Sequence, residues 1–542
     1  MKKILPHSWS DRRFAMSLNL LRGRISRLPM LPNSSMGNSH TSAIPRSLHR
    51  PLALAGAEQC SAKPPLTLRD LRSLATVWLG AFAHAALLLP TVMASGLALA
   101  NPNIPPPPQS KPLLITGATL HTISGDVISN GRMLVDKGRI VAIGAASAVP
   151  DTANATVLSL SGKHVYPGLI AANTTLGLVE VQSVRATVDS AEVGTFNPNS
   201  RALVAVNADS ELIPVTRANG VLAALAAPRP GAASLIAGTS AVIQLDGWNW
   251  EDMGVAAEVG LHISLPSMRT NLSSSVFAPP TAVTGSAREE MERLTNQRLR
   301  ALEDVFEAAG AYHRTRAAEP ATPIDMRWEA MRPVFLNAGA ADKQRPVFVY
   351  ADELPQIRYA LAFAERFNLK LVVIGGQDAW RIASLLAERK VPVIIGSVHR
   401  LPLRRDDDYD APFKLAATLH AAGVRFAIAR GGSTFDAAME RSLPYEAGTA
   451  AAYGLPRAEA LKAITLYPAQ ILGVADKLGS LEVGKLANFF VSDGDPLDIR
   501  TNVERIYIGG RELPLEDKQT RLNKKYEQKY QQLDAKRAGS TK

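Results

Sequence analysis

From Lys111 onward the apolar positions fall in runs of strand length: Leu113–Leu120, Met133–Ile143 and, more briefly, Val157–Leu160 and Lys163–Tyr166. Lys137-Gly138 divides the second run into the arms of a hairpin, because glycine accepts the left-handed backbone of a tight turn. The texture changes at Pro167. From there to about Gly473, short apolar runs alternate with helix-length stretches, which is the pattern of a parallel α/β domain. The clearest units pair Val347–Ala351 with a helix over 357–367, Leu369–Ile374 with 379–389, and Val391–Ile395 with 413–422, before Val424–Ala429. This alternation fits a closed barrel and an open sheet equally. Residues 285–340 read as a charged helical insertion, and strands return at Leu486–Val491 and Val503–Ile508. Residues 516–542 form a charged C-terminal tail.

Charge changes the picture only at the N-terminus. The chain carries +11, of which residues 1–100 hold +9, from 12 Lys and Arg against three acidic residues. With so little basicity left for the body, a nucleic-acid partner is not expected. Arg69 and Arg72 precede the apolar stretch Leu74–Val92, which ends at the small-x-small site Ala98-Leu99-Ala100. Residues 69–100 therefore read as a signal peptide cleaved near Ala100, for an exported, periplasmic protein that meets the membrane only through this segment. The alternative is a membrane anchor over residues 74–94. Residues 1–68 read as a disordered or over-extended leader, and 101–110 as a proline-rich spacer. The single cysteine, Cys60, lies in the leader, so the mature chain has neither disulfide nor thiolate chemistry.

Three stretches resemble the amidohydrolase superfamily, in its imidazolonepropionase-like branch: Gly162–Ile170 with the following Ala-Ala-Asn-Thr-Thr, Ala463–Gly473, and Gly479–Phe490 running on to Ser492–Pro496. The resemblance implies an α/β fold, a (β/α)8 TIM-type barrel over 167–473. It also implies a composite β-sandwich built by both ends of the mature chain, residues 111–166 and 474–515. The implied activity is hydrolysis of non-peptide carbon–nitrogen bonds, with zinc or another divalent metal at the C-terminal mouth of the barrel.

The ligand positions of that family are replaced here. Its first-strand His-x-His pair falls on Asn173 and Thr175, and its fifth-strand histidine on Tyr350. The sixth strand runs into Gly375, and Arg430 stands near the eighth-strand aspartate. An amide, a hydroxyl and a phenol are poor zinc ligands, and a guanidinium repels a cation, so no metal cofactor is expected. Among the six histidines of the mature chain, none forms a His-x-His pair, and His399 is the one best placed at the mouth. Arg217 is a further pocket candidate, while Glu180, Asp189, Glu192 and the run Asp406–Asp408 read as solvated loops. Catalytic residues remain unassigned. Two functions follow: an exported amidohydrolase-type hydrolase of doubtful metal dependence, or a non-catalytic periplasmic binding or partner protein. In the second, Tyr350 and Arg430 would recognise the anionic part of a small molecule in the barrel mouth.

Overall fold

The computed structural model describes residues 104–231, 233–268, 285–335 and 344–540. The leader, the signal peptide with Leu74–Val92, Cys60, the first residues of the proline spacer and the end of the 285–340 insertion lie outside the described residues. Among the described residues no helix is long and apolar enough to cross a membrane.

Among the described residues sixteen strands form two sheets. The first five are β1 (Leu113–His121), β2 (Val127–Asp136), β3 (Arg139–Ala145), β4 (Thr156–Ser159) and β5 (His164–Pro167). Eight follow: β6 (Leu169–Thr174), β7 (Val221–Ala226), β8 (Ile236–Gln244), β9 (Gly254–Ser264), β10 (Val347–Ala351), β11 (Leu371–Gly375), β12 (Val393–Ile395) and β13 (Phe426–Ile428). The last are β14 (Phe489–Ser492), β15 (Val503–Ile508) and β16 (Arg511–Leu513). The helices used below are α1 (Leu212–Arg217), α2 (Ser286–Ala318), α3 (Leu354–Phe367), α4 (Leu443–Ala452) and α5 (Lys518–Ser540).

Strands from both ends of the described region share one eight-stranded sheet, ordered β16-β15-β14-β5-β1-β2-β3 with β4 beside β1. The free edge of β3 is covered by backbone bonds from Ile140 N to Lys485 O and from Gly484 N to Ile140 O, on the segment that leads into β14. The sheet thus folds over a core of Ile115, Leu120, Met133, Val135, Phe489, Val491 and Tyr507. What the ends build together is this single sheet.

The second sheet is barrel-like, in the order β6 to β13. β6 and β13 are joined through the chain between them, since Ile170 N donates to Ile464 O and Ile428 N to Ala463 O. One strand departs from the expected (β/α)8 pattern: β8 runs antiparallel to both β7 and β9. The reason is linker length. Residues 227–235 and 245–253 are too short for the dozen or so residues that a parallel crossover needs. The other neighbours are parallel, and helical segments follow β6, β9, β10, β11, β12 and β13. α3 shows why such a segment closes on the sheet. Glu353 and Gln356 form a capping box, Asn368 ends the helix with φ 52°, and Ile357, Ala360, Leu361 and Ala364 bury one face. The charged insertion is the long helix α2, which buries Leu302, Phe306, Ala309 and Gly310 and packs Leu299 and Val305 against the core. At the N-terminal end of the strands, Ala469, Ile471, Leu472, Val474 and Leu478 pack against the inner residues and close the barrel. Its other end is the mouth.

Candidate functional site at the barrel mouth

Strand alternation alone would not bring Asn173 into the barrel, because Ile170 and Ala172 already face inward. The β6–β7 register shows how it gets there. Ala171 pairs with Ala224 but Thr174 with Ala226, so β6 carries one extra residue at this point. Such a bulge re-aims the side chains beyond it. Asn173 turns inward, buried at the end of the strand. On β10, Phe348 and Tyr350 share the inner face two residues apart. The Phe348 ring fits because β9 has Gly260 opposite, where any Cβ would lie 2.1 Å from the ring. His262, two residues further along β9, stacks on Phe348 with ring centroids 4.9 Å apart.

These side chains form one network. The Tyr350 hydroxyl donates to Asn173 Oδ1 at 3.2 Å, and the same hydroxyl lies 3.2 Å from His262 Nδ1. The loop after β7 adds Arg229, whose guanidinium carbon is 4.6 Å from the centre of the Tyr350 ring. Burial, reinforced by the Arg229 charge, pushes His262 down to about 3, so the imidazole is neutral at ordinary pH. Burial raises the Tyr350 phenol, so it too is neutral, although Arg229 opposes the shift. Three buried atoms of the network have no hydrogen-bond partner: Asn173 Nδ2, Arg229 Nη1 and His262 Nε2.

The remaining candidates are placed as follows. Thr175 is buried outside the network and donates to the Ser433 carbonyl at 3.3 Å. Gly432, with φ 70°, lets the loop after β13 lie on Asn173, where a Cβ would come within 2.2 Å of Nδ2. Gly375 ends β11 with φ 98° and abuts Asp352, so the sixth strand offers no side chain at its end. His399 is held in its loop, with Nε2 2.6 Å from Thr449 Oγ1 and Nδ1 3.3 Å from Glu446 Oε1. Arg430 is not free to recognise an anion, because it is ion-paired with Glu446 and lies 3.7 Å from Asp436. Arg217 is at the wrong end. α1 leads into the N-terminal end of β7, and there Arg217 donates to the Leu245 carbonyl at 3.1 Å and faces Asp246 at 3.8 Å.

Two buried carboxyls flank the mouth and behave oppositely. Glu446 accepts from Val398 N at 2.5 Å and His399 N at 3.0 Å. Burial alone would raise it, but hydrogen bonds and charge from His399, with Arg430, hold it below the usual carboxylate range. Glu440 is fully buried without a well-formed hydrogen bond. Burial pushes it up to about 8, against the Thr174 hydroxyl and Arg430 and with the help of Asp436 and Glu446. Glu440 is therefore largely protonated at neutral pH, which leaves Glu446 and Asp436 as the counter-ions of Arg430.

The donor set does not fit a divalent metal. Asn173 has its oxygen committed to Tyr350, and its free atom is an N–H donor. The second free atom belongs to a guanidinium, and the one available imidazole nitrogen has no carboxylate or second imidazole beside it in the network. Among the described residues no group of three or more His, Cys, Asp or Glu side chains is arranged to hold a metal ion.

Sequence reasoning found Asn173 and Tyr350 but missed Arg229 and did not place His262. Arg229 stands between Pro228 and Pro230, directly after an apolar run that reads as a strand, and this is a readable signal for a stiff loop at a strand end.

Comparisons with known proteins agree with this architecture. A model of the amidohydrolase family matches residues 381–521. Imidazolonepropionase from Maricaulis maris (strain MCS10) is 27% identical over 427 residues, covering 73% of this chain and 97% of that protein. The crystal structure of an amidohydrolase from Thermotoga maritima MSB8 is similar at 25% identity with a TM-score of 0.62, covering 74% of this chain and 99% of that one.

Proposed function

Because the chain belongs to the amidohydrolase superfamily, we propose that it keeps the hydrolase scaffold but uses the barrel mouth to bind a small molecule without a catalytic metal. The observation that carries this reading is the bonded set Asn173–Tyr350–His262. It occupies the place where the resemblance puts metal ligands, and its unpartnered amide atom is an N–H donor, which repels rather than ligates a cation. In a metallohydrolase of this family a bound metal would supply a hydroxide near neutral pH and polarise the scissile carbonyl. Here the residues present give that chemistry no ligand set.

The test is elemental analysis of purified residues 101–542, together with chelator-sensitive hydrolysis of simple amides and cyclic imides. The expected result is metal far below one equivalent and no chelator-sensitive turnover. Restoring histidine by Asn173→His with Thr175→His leaves metal binding weak, because Tyr350, Gly375 and Arg430 still supply no ligand. About one equivalent of metal, with hydrolysis abolished by Asn173→Ala, overturns the reading.

Export belongs to the same proposal and rests on Leu74–Val92 ahead of Ala98-Leu99-Ala100. N-terminal sequencing of the protein recovered from the periplasm is expected to begin at or near Asn101. A recovered protein that retains Leu74–Val92 instead makes the segment an anchor.

A further inference from the structure

We propose that a cavity at the closed, N-terminal end of the barrel binds an amphiphilic organic anion, with the apolar body on the cavity floor and the head group among Lys370, Lys390 and Arg425. The site is separate from the mouth and does not depend on how the mouth is used.

The first argument is the cavity itself. Its volume is about 430 Å³, within the range of about 300–1,000 Å³ that small organic ligands occupy. Its walls are the C-terminal end of α3, the first residues of β11, the turn ahead of β12, and Arg425 just ahead of β13. The floor opens between the two cores, with Ile471 from the inner one and Leu361, Ala364, Leu371 and Val391 from the outer one. These five keep between 5% and 8% of their surface exposed, whereas Phe348, Val373 and Leu386 in the same cores keep none. The floor is thus apolar surface left open to water, and covering it with an apolar body is favourable.

The second argument is the charge around that floor. The charged residues lining the cavity are Glu365, Lys370, Arg389, Lys390 and Arg425. Arg389 donates to Glu365 at 2.5 Å, so these two offset each other. Among the described residues none of Lys370, Lys390 and Arg425 has an ion pair with a carboxylate. Arg425 is steadied by the Tyr467 ring, whose centre lies 4.0 Å from the guanidinium carbon. Helix C-termini attract nearby cations, and both α3 and the short helix Ala383–Glu388 end at this cavity. That attraction does not explain the backbone of Lys390, which is left-handed at φ 53°. Glycine or asparagine fits such a place best, as Asn368 does after α3. A lysine there stands against the backbone preference and brings a cation to the cavity. Three cations without carboxylate partners around an apolar floor match an anion with an apolar body. A bare inorganic anion would leave the floor uncovered, and a neutral apolar molecule would leave the cations unpaired.

The experiment is a calorimetric titration of the purified protein with octanoate, with octanol as the body-only arm and acetate as the head-only arm. Octanoate is expected to bind at one site, about tenfold or more tighter than either arm. Lys390→Gly removes one cation and relieves the left-handed backbone. It should weaken octanoate about threefold or more while the melting temperature holds or rises. Lys390→Gly combined with Lys370→Gln should bring octanoate close to the level of octanol. Ala364→Met, whose flexible side chain enters the floor, should weaken octanoate and octanol alike. Octanoate that fails to bind at millimolar concentration, that binds no better than octanol or acetate, or that binds the double variant as it binds the wild type overturns the proposal.

Discussion

Removing everything after Gly473 is expected to unfold the whole described chain, barrel included. The deletion takes away β14, which lies in the interior of the terminal sheet between β5 and β15. It also removes Val474 and Leu478, which close the barrel's N-terminal end. Phe489 and Phe490 carry most of the argument. Successive strand residues face opposite sides, so Phe489 stacks on Tyr507 in the core of the terminal sheet, with centroids 4.5 Å apart. Phe490 faces the barrel-side core, stacking on Tyr166 at 5.5 Å and filling the space left by Gly220. One strand thus belongs to both cores. Each large side chain uncovered costs about 1.5–3 kcal/mol. With Phe489, Phe490, Val491, Ile506 and Ile508 all fully buried, the total reaches the roughly 5–15 kcal/mol that holds a domain folded. The truncated protein should be insoluble or melt without a cooperative transition. The single change Phe490→Ala should cost about 3–5 kcal/mol and lower one common melting temperature. A soluble truncated protein with an unchanged transition would show that barrel and sheet are independent.

The junction of the two ends is legible in sequence because each strand there has its own period and its own turn residues. Lys137-Gly138 and Gly484-Lys485 both mark turns, and Gly484 and Gly138 have positive φ in the structure. The barrel is less legible. An antiparallel strand inside it, β8, reads Ile-Ala-Gly-Thr-Ser-Ala-Val-Ile-Gln, and hydropathy carries no strand direction. The shortness of residues 227–235 and 245–253 sets that direction, and hydropathy does not weigh linker length.

For the site, the residues on the Pro-Gly-Leu-Ile strand and on β10 are readable because an aligned motif points at them. The inward turn of Asn173 depends on a bulge, and nothing in Ala171-Ala172-Asn173-Thr174 specifies one. Arg229 and His262 join the site from elements that carry no motif, through contacts with Tyr350 that exist only after the barrel forms. Arg217 shows the converse. As a buried arginine beside a strand it is a fair pocket candidate in one dimension, and strand direction alone sends it to the far end of the barrel.

Glu446→Ala should be the most damaging single polar substitution at the mouth, at about 3–5 kcal/mol, the range for removing one partner of a buried ion pair. Glu446 sits on α4, fully buried, and ties three segments together. It accepts from the Ser397 hydroxyl at 3.0 Å and from Val398 N and His399 N in the loop after β12, and it is paired with Arg430 after β13. Without it Arg430 keeps only Asp436 at 3.7 Å, and Glu440 is no substitute because burial keeps that carboxyl largely protonated at neutral pH. Glu446→Gln retains a hydrogen-bond acceptor and should lose less. The pH dependence gives an independent check. The folded-state pKa of Glu446 lies below its ordinary value, so its contribution is fully present above the usual carboxylate range and is lost as pH falls through the lower folded value. The gap in stability between the wild-type protein and Glu446→Ala, measured by denaturant unfolding, should therefore be widest near pH 7 and narrow below about pH 4. A gap that stays constant across that range would mean the cost is lost packing rather than a lost charge.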